Sequence, residues 1–421
     1  MRTVCYQPGE LLRWLHRRRG QVVHLPAVPQ PVTYLFGQEA NAFVFAHDHL
    51  FRWREAFQGL IPVDGETALI VSDGPDHTRR RSLVRPTLHR RQVQGYVQLM
   101  AQAADELLDP LTSGEVFDAY ALFRTAIRRS TLRALFGPRI AGREEEIADL
   151  LQPLFDLTDH VQTIGIHERL TTPLWRRAMR ARAQLDELIY PEIAHARAAP
   201  PDEPGSPVLT MLVGAGDRQD PGLSETEVRD QVVSLIAAGY ETTSAAMAWT
   251  LYALASRPGM MARARVQLRS VCGEQPPAAA DLPELTLLRA IVTESLRLYP
   301  PAVVSARSVA TDFTLGGRTV RAGTLALISP YVTHRDPQVY PDPLRFRPER
   351  WLDGARAAPP AYVPFGGGAH RCIGSTMATT ELTVMLARLL ARGAYRVTDQ
   401  RVRAKGLAAM RPAHGLHLRF D

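Results

Sequence analysis

Lysine is almost missing from this chain of 421 residues: Lys405 is the only one, so its 50 basic residues are nearly all arginine. A formal charge of +7 could suit a nucleic-acid binder, but the arginines are spread along the chain and no recognition motif accompanies them, which argues against that class. Cysteine is scarce as well. Cys5, Cys272 and Cys372 are an odd set that cannot all pair, and nothing at the N-terminus looks like a signal peptide, so a reducing cytoplasm is the expected setting. The first segment holds only Leu11, Leu12, Trp14 and Leu15 before His16-Arg17-Arg18-Arg19. That pattern reads as a surface helix, not a membrane anchor. Nucleotide loops of the GxGxxG or GK[ST] type do not account for its glycines. Repeats and long low-complexity tracts are absent too. The best linker candidate, Ala198 to Pro207 (AAPPDEPGSP), reads as an exposed surface loop. Residues 1–421 are therefore read as one domain, since motifs that must share a site lie on both sides of that loop. The 45% hydrophobic content is ample for a large core.

What is present centres on one thiol. Phe365-Gly366-Gly367-Gly368-Ala369-His370-Arg371-Cys372-Ile373-Gly374, followed by Ala378, places Cys372 in a glycine-lined loop just before the helical run Ser375 to Leu390. Gly366 and Gly368 allow positive φ angles and let backbone approach a flat ligand where a Cβ would collide. Amides around the sulfur, together with the positive end of the helix, favour the thiolate, which is the form that ligates metals or acts as a nucleophile. A lone Cys is ordinarily a small buried hydrophobe, and a glycine cluster is ordinarily a turn. The joint spacing of Phe, Gly, Gly, His, Cys, Gly and Ala is what departs from those readings. It resembles the haem-binding loop of the cytochrome P-450 superfamily. On that resemblance Cys372 is the axial thiolate of haem iron, His370 a propionate partner and Phe365 an aromatic packed against the sulfur, while Gly366 and Gly374 shape the loop.

A second feature stands in a long apolar stretch. Ser224 to Glu227 forms a capping box, and the stretch runs to Ala255 before Ser256-Arg257-Pro258-Gly259 stops it. Such a helix is roughly 45 Å long and must be buried on nearly every side. Glu241, Thr242, Thr243 and Ser244 at its centre disfavour lipid. A threonine bonding back to a carbonyl one turn earlier would explain a kink there. Ala238-Gly239-Tyr240-Glu241-Thr242-Thr243 also resembles the oxygen-activating segment of the same family. That resemblance makes Ala238 and Gly239 the space above the haem, Thr242 the holder of dioxygen and water, and Glu241 the proton relay. Proton delivery in a site that otherwise excludes water is the chemistry such a pair would serve.

Glu294-Ser295-Leu296-Arg297, expected on a helix over 281–299, is by itself a common and weak pattern. It is followed by Phe346-Arg347-Pro348-Glu349-Arg350-Trp351, which resembles the family's second structural motif, so Glu294, Arg297 and Arg350 are expected to form a buried cluster for folding and haem retention. His77 and Arg81, four apart on a helix, and Arg307, just beyond Pro300-Pro301, match the family's further propionate partners. Arg79, Arg80, Arg81, Arg85, His89, Arg90 and Arg91 make a basic face that could steer an acidic partner or be merely solvated.

The resemblance runs from about Tyr34 to Pro412, with the motifs in family order. Pro62 to Gly74, Gly239 to Ala245 and Arg371 to Glu381 look most similar to actinobacterial members, some encoded beside polyketide pathways. It implies a mainly helical triangular prism with small β-sheets and a long central helix over haem b. The implied enzyme is a soluble, monomeric, cytoplasmic monooxygenase of secondary metabolism, inserting one atom of dioxygen into a lipophilic substrate such as a polyketide. Electrons would come from NAD(P)H through a ferredoxin and its reductase, or a flavodoxin. Substrate contacts are expected from Phe57 to Val63, near Phe155 to Ile166, Ile236 to Gly239, Ala302 to Ser305 and Ala408 to Met410. Two alternatives are a peroxide-driven haem-thiolate enzyme, which needs no proton relay, and a haem-binding sensor, which would typically carry an output domain.

Overall fold

Helices claim most of this sequence wherever an apolar face recurs every three to four residues. The computed structural model describes residues 8–26, 30–159, 163–198, 207–214, 222–352 and 358–421. Cys5 and residues 199–206 of the expected surface loop lie outside these. The helices needed below are α1 (Glu10–Arg19), α2 (Gly74–Val84), α3 (Val97–Leu108), α4 (Ala119–Ala141), α5 (Glu144–Thr158), α6 (Pro173–Ala198), α7 (Glu225–Ala255), α8 (Thr286–Leu298) and α9 (Ser375–Arg392). No helix among the described residues is long and apolar enough to cross a membrane. The chain forms two compact units, each assembled from separated segments. One contains Met1–Arg52, Val93–Ile127 and Glu241–Asp421; the other contains Trp53–Gln92 and Arg128–Tyr240.

In the first unit a five-stranded sheet joins residues 22–52 to residues 305–328. Strands β1 (Val22–Leu25), β2 (Val32–Leu35), β3 (Phe51–Arg52), β4 (Ser305–Val309) and β5 (Leu325–Ile328) lie in the order β1-β2-β5-β4-β3. Only β2 and β5 are parallel, with Leu35 opposite Ile328. Val22, Leu35, Val44, Phe51, Val309, Phe313 and Ile328 form one buried cluster against it. Smaller sheets lie near the C-terminus, one of them pairing Val116–Asp118 with His417–Phe420. Helix α9 is buried along nearly all its inner length and anchors Arg388 to Asp105 of α3 at 2.7 Å. Trp249 of α7 is fully buried, stacks on Tyr299 at 5.2 Å and donates its indole N–H to the Met410 carbonyl at 2.7 Å.

In the second unit α5 and α6 pack along each other. Leu151, Leu154 and Leu157 of one, and Ala178, Ala181, Leu185 and Ile189 of the other, are buried at helical spacing. The start of α7 is set by the capping box: the Ser224 amide donates to Glu227 Oε2 at 2.9 Å and the Glu227 amide to Ser224 Oγ at 3.2 Å. Helix α7 then runs for 31 residues, in line with the sequence expectation. The helix bearing Glu294 and Arg297 is shorter than expected. Asp281 closes a turn by accepting the Ala278 amide at 2.8 Å, and helix begins only at Thr286. Its proline-containing approach, 279–284, is turn instead.

Candidate active site

Cys372 sits where the sequence placed it, in a loop that ends at the first turn of α9. Gly366 and Gly368 take φ of +67° and +68°, angles that other residues rarely adopt. The loop closes on itself through the Cys372 amide, which donates to the Phe365 carbonyl at 2.9 Å. Gly367 is required for a different reason: a Cβ there would stand 2.5 Å from the Phe45 ring. A Cβ on Gly374, the residue preceding α9, would lie 4.0 Å from the Cys372 sulfur, so the thiol is next to the helix N-terminus. Cys372 is exposed, unlike a structural cysteine. Phe365, Gly366 and Arg371 help line a cavity of 220 Å³ beside it. An exposed thiol in a backbone-walled loop at a helix N-terminus suits a metal-ligating thiolate and a flat group laid against glycine.

Behind this loop lies a buried ionic cluster. Glu294 and Arg297 are fully buried, and Arg297 donates Nε and Nη2 to the two carboxylate oxygens at 2.8 and 2.9 Å. Arg350 Nε reaches both oxygens at 3.1 Å. The cluster also takes the Trp351 indole N–H and the Arg347 amide, each at 2.9 Å. Arg297 spends its remaining hydrogens on the carbonyls of His334, Pro343 and Arg345. The structure therefore brings Glu294, Arg297 and Arg350 together. His334 was not legible in the sequence. Its Nδ1 donates to the Arg297 carbonyl at 3.0 Å and its Nε2 accepts the Val363 amide at 2.9 Å, while the Gly366 amide donates to the Val363 carbonyl. Burial and the Arg297 charge hold this imidazole neutral. One histidine thus connects the cluster to the strand of chain that leads into the thiol loop, and no spacing rule marks it.

Helix α7 is buried from Val228 to Leu254 apart from Leu235, Ala238, Gly239, Thr242 and Tyr252. The first four recur at intervals of three, one and three, the spacing of one helix face. Ala238, Gly239 and Thr242 are thus on the accessible stripe of an otherwise buried helix. Gly239 has a second constraint, since a Cβ there would press to 3.2 Å from the Thr131 methyl group. Glu241, one residue from Thr242, points elsewhere. Its carboxylate accepts the Tyr120 hydroxyl at 2.9 Å and Arg124 Nε at 2.8 Å, with Arg411 Nε at 3.5 Å. Burial and then the Glu241 charge push the Tyr120 phenol far up, so it stays protonated. Tyr120, Arg124 and Arg411 come from distant stretches, and nothing in the sequence marked them as neighbours of Glu241.

The remaining candidates are cationic or polar. Arg307 is buried in β4 and donates to Ser305 Oγ at 3.1 Å and the Ala306 carbonyl at 2.7 Å. His370 is half-buried in the thiol loop. His77 and Arg81 lie one turn apart on α2; burial, then the Arg81 charge, push the His77 imidazole down to about 4, so it is neutral. The basic face is smaller than its sequence implied. Arg79 pairs with Glu227 at 3.0 Å and also bonds the Gly222 carbonyl, and Arg80 pairs with Glu227 at 2.9 Å. Arg85, His89, Arg90 and Arg91 remain exposed. Of the expected substrate contacts, residues 160–162 lie outside the described residues. Phe155 meets Tyr240 edge-on at 5.5 Å, and Met410 is buried.

Known proteins resemble this chain along most of its length. A family model described as Cytochrome P450 matches residues 4–406. Cytochrome P450 139 of Mycobacterium bovis is 47% identical over 98% of this chain and 97% of its own. The cyclooctat-9-en-7-ol 5-monooxygenase of Streptomyces melanosporofaciens is 34% identical over 77% of this chain and 72% of its own. Pentalenene oxygenase of Streptomyces avermitilis is 32% identical over 84% and 79%. Among solved structures, retinoic acid-bound cyanobacterial CYP120A1 superposes with a TM-score of 0.89 over 99% of this chain and 95% of that one, at 23% identity, a likeness of fold.

Proposed function

Since this chain belongs to the cytochrome P450 family and is a monooxygenase of it, we propose that Cys372 holds a haem through which one oxygen atom of dioxygen enters a lipophilic substrate, with electrons passed on from NAD(P)H by separate redox proteins. The observation that carries this reading is the exposed Cys372 thiol, placed beside the N-terminus of α9 by two positive-φ glycines. Bound haem supplies the redox chemistry, and thiolate ligation favours O–O cleavage. Cys372 would ligate the iron, Phe365 and Gly366 would lie along the ring, and His77, Arg81, Arg307 and His370 would face its carboxylates. Neutral His77 would offer a hydrogen bond there and Arg81 a charge.

Thr242 is the one hydroxyl on the accessible stripe of α7, which fits it to position the proton-accepting end of a reacting ligand. Glu241 reaches that role only by exchanging partners. As found, its two oxygens accept from Tyr120 and Arg124; to carry a proton toward Thr242, its carboxyl must gain one and leave Arg124. Ala238 and Gly239 leave the stripe low. The relatives' names speak of cyclooctat-9-en-7-ol and pentalenene; what we carry over is a largely apolar organic substrate, drawn from secondary metabolism. For the electron donor, Arg85, His89, Arg90 and Arg91 offer an acidic protein a docking face, whereas Arg79 and Arg80 are already occupied by Glu227. A cytoplasmic monomer, folded as one domain, completes the proposal.

The test is the difference spectrum of the reduced protein with carbon monoxide. A Soret band strongly red-shifted from that of histidine-ligated haem is expected, and a histidine-like band or absent haem would sink the reading. Thr242→Ala should then keep consuming NAD(P)H while releasing peroxide in place of product; unchanged coupling would remove Thr242 from the relay.

A further inference from the structure

The segment Ile61–Val71 overlaps the end of Phe57–Val63, the stretch expected to meet substrate, and polar groups hold it at several points. From α6, Arg182 donates to the Pro62 carbonyl at 2.8 Å. From α7, Asp230 accepts both the amide and the hydroxyl of Thr67, at 2.9 and 2.7 Å. Gln231 accepts the Leu69 amide at 3.0 Å and donates to the Thr67 carbonyl at 2.7 Å. The approach is close enough that Gly65, at φ +92°, has no room for a side chain: a Cβ would fall 2.0 Å from an Asp230 oxygen. Asp230 is fixed in turn by Arg229 Nη1 at 3.0 Å, and Arg229 Nε bonds Asp186 of α6.

One more carboxyl is enclosed here. Asp64 is 6% exposed and hydrogen-bonds Ser234 of α7. The charged groups around it are Arg229 and Asp230 on α7 and Arg182 on α6. Behind these stand Asp186 and Tyr190, which act on Arg182. Two guanidiniums therefore meet three carboxyls. Asp186 and Asp230 already balance Arg182 and Arg229, so an ionised Asp64 adds a buried negative charge without a counterion of its own. The Arg229 charge acts on Asp64 only through space, since its remaining nitrogen, Nη2, is buried with no hydrogen-bond partner.

We propose that Asp64 is the proton-sensing positioning residue of a latch that holds Ile61–Val71 against α6 and α7: neutral, it lets the segment dock; ionised, it loosens it. The consequence for oxidation rests on the reading that Phe57–Val63 contacts substrate; the latch itself does not. Burial pushes the Asp64 carboxyl up to about 6, Ser234 and the arginines opposing that rise, so the docked carboxyl loses its proton near pH 6.

Hydrogen exchange on the substrate-free holoprotein, read in peptides covering residues 61–72 from pH 5 to pH 8 and divided by the intrinsic rate at each pH, tests this. Protection should fall as pH rises toward about 6 and level off above it, by about tenfold from pH 5 upward, the remainder of a roughly hundredfold loss for a displacement of two units lying below pH 5. Asp64→Asn should remain protected at every pH. Ser234→Ala, which removes a bond favouring the charged form, should move the midpoint upward, and it serves as the test if Asp64→Asn folds poorly. Flat protection in the unmodified protein, or an unmoved midpoint in Ser234→Ala, or the same fall in Asp64→Asn, overturns the proposal. Since no oxidation is measured, a failed latch and a failed monooxygenase reading give different results.

Discussion

Two buried ionic clusters, one in each unit, share a chemistry and differ in their balance. Around Glu294, one carboxylate meets two guanidiniums, an indole N–H and a backbone amide, and Arg297 gives its remaining hydrogens to three carbonyls. Around Asp230, two guanidiniums face three carboxyls and one arginine nitrogen is left over. The first arrangement leaves no protonation change that would improve it, so it is a fixed brace. The second gains by taking up a proton, so it responds to pH. Burial makes ion pairs costly in both; the count of donors against acceptors decides whether the result is rigid or titratable.

Arg297→Ala tests the brace most severely. It leaves Glu294 short of its main partner and should cost about 3–5 kcal/mol, seen as a collapse in soluble, haem-loaded protein and in the thermal midpoint; near-normal yield and midpoint would mean the cluster is no brace. The opposite sign is expected from Asp64→Asn. The folded carboxyl holds its proton up to about pH 6, against about 4 in the unfolded chain, so its contribution is complete below pH 4 and is lost as pH rises through 6. At pH 8 the variant should therefore gain up to about 3 kcal/mol, and at pH 4 nothing. Equal midpoints at pH 8 would erase the contrast between the clusters. Ser224→Ala removes one half of the capping box of α7 and should cost about 1 kcal/mol in denaturant unfolding. Smallest of all, Arg90→Ala should stay within about 0.5 kcal/mol of the parent because its side chain is exposed. Arg90→Glu should nonetheless slow turnover with an acidic electron donor in a salt-dependent way, and equal rates at low salt would remove the docking face.

Local signals carried the reading of the sequence a long way. The capping box at Ser224, the positive-φ glycines around Cys372 and the run from Val228 to Leu254 are written in adjacent residues, and each produced the element expected of it. Boundaries were less legible: α8 begins at Thr286 because Asp281 turns back on Ala278, a contest between helix and side-chain capping that apolar periodicity does not record. The basic face shrank for a related reason, since Arg79 and Arg80 found Glu227, 147 residues and more away in sequence.

By itself, then, the sequence determined which residues could carry the chemistry: a thiol in a glycine loop at a helix N-terminus, a hydroxyl and an acid at the centre of a buried helix, and an acid and an arginine one turn apart. Tertiary structure alone decided what each acid would be paired with. Tyr120, Arg124 and Arg411 meet Glu241, His334 joins the Arg297 cluster to the chain leading into the thiol loop, and Asp64 is enclosed with one negative charge too many. Periodicity and caps are set by neighbours within a few residues, whereas partnership and desolvation depend on which distant segments the core brings together, and those two decide the charge of a buried group.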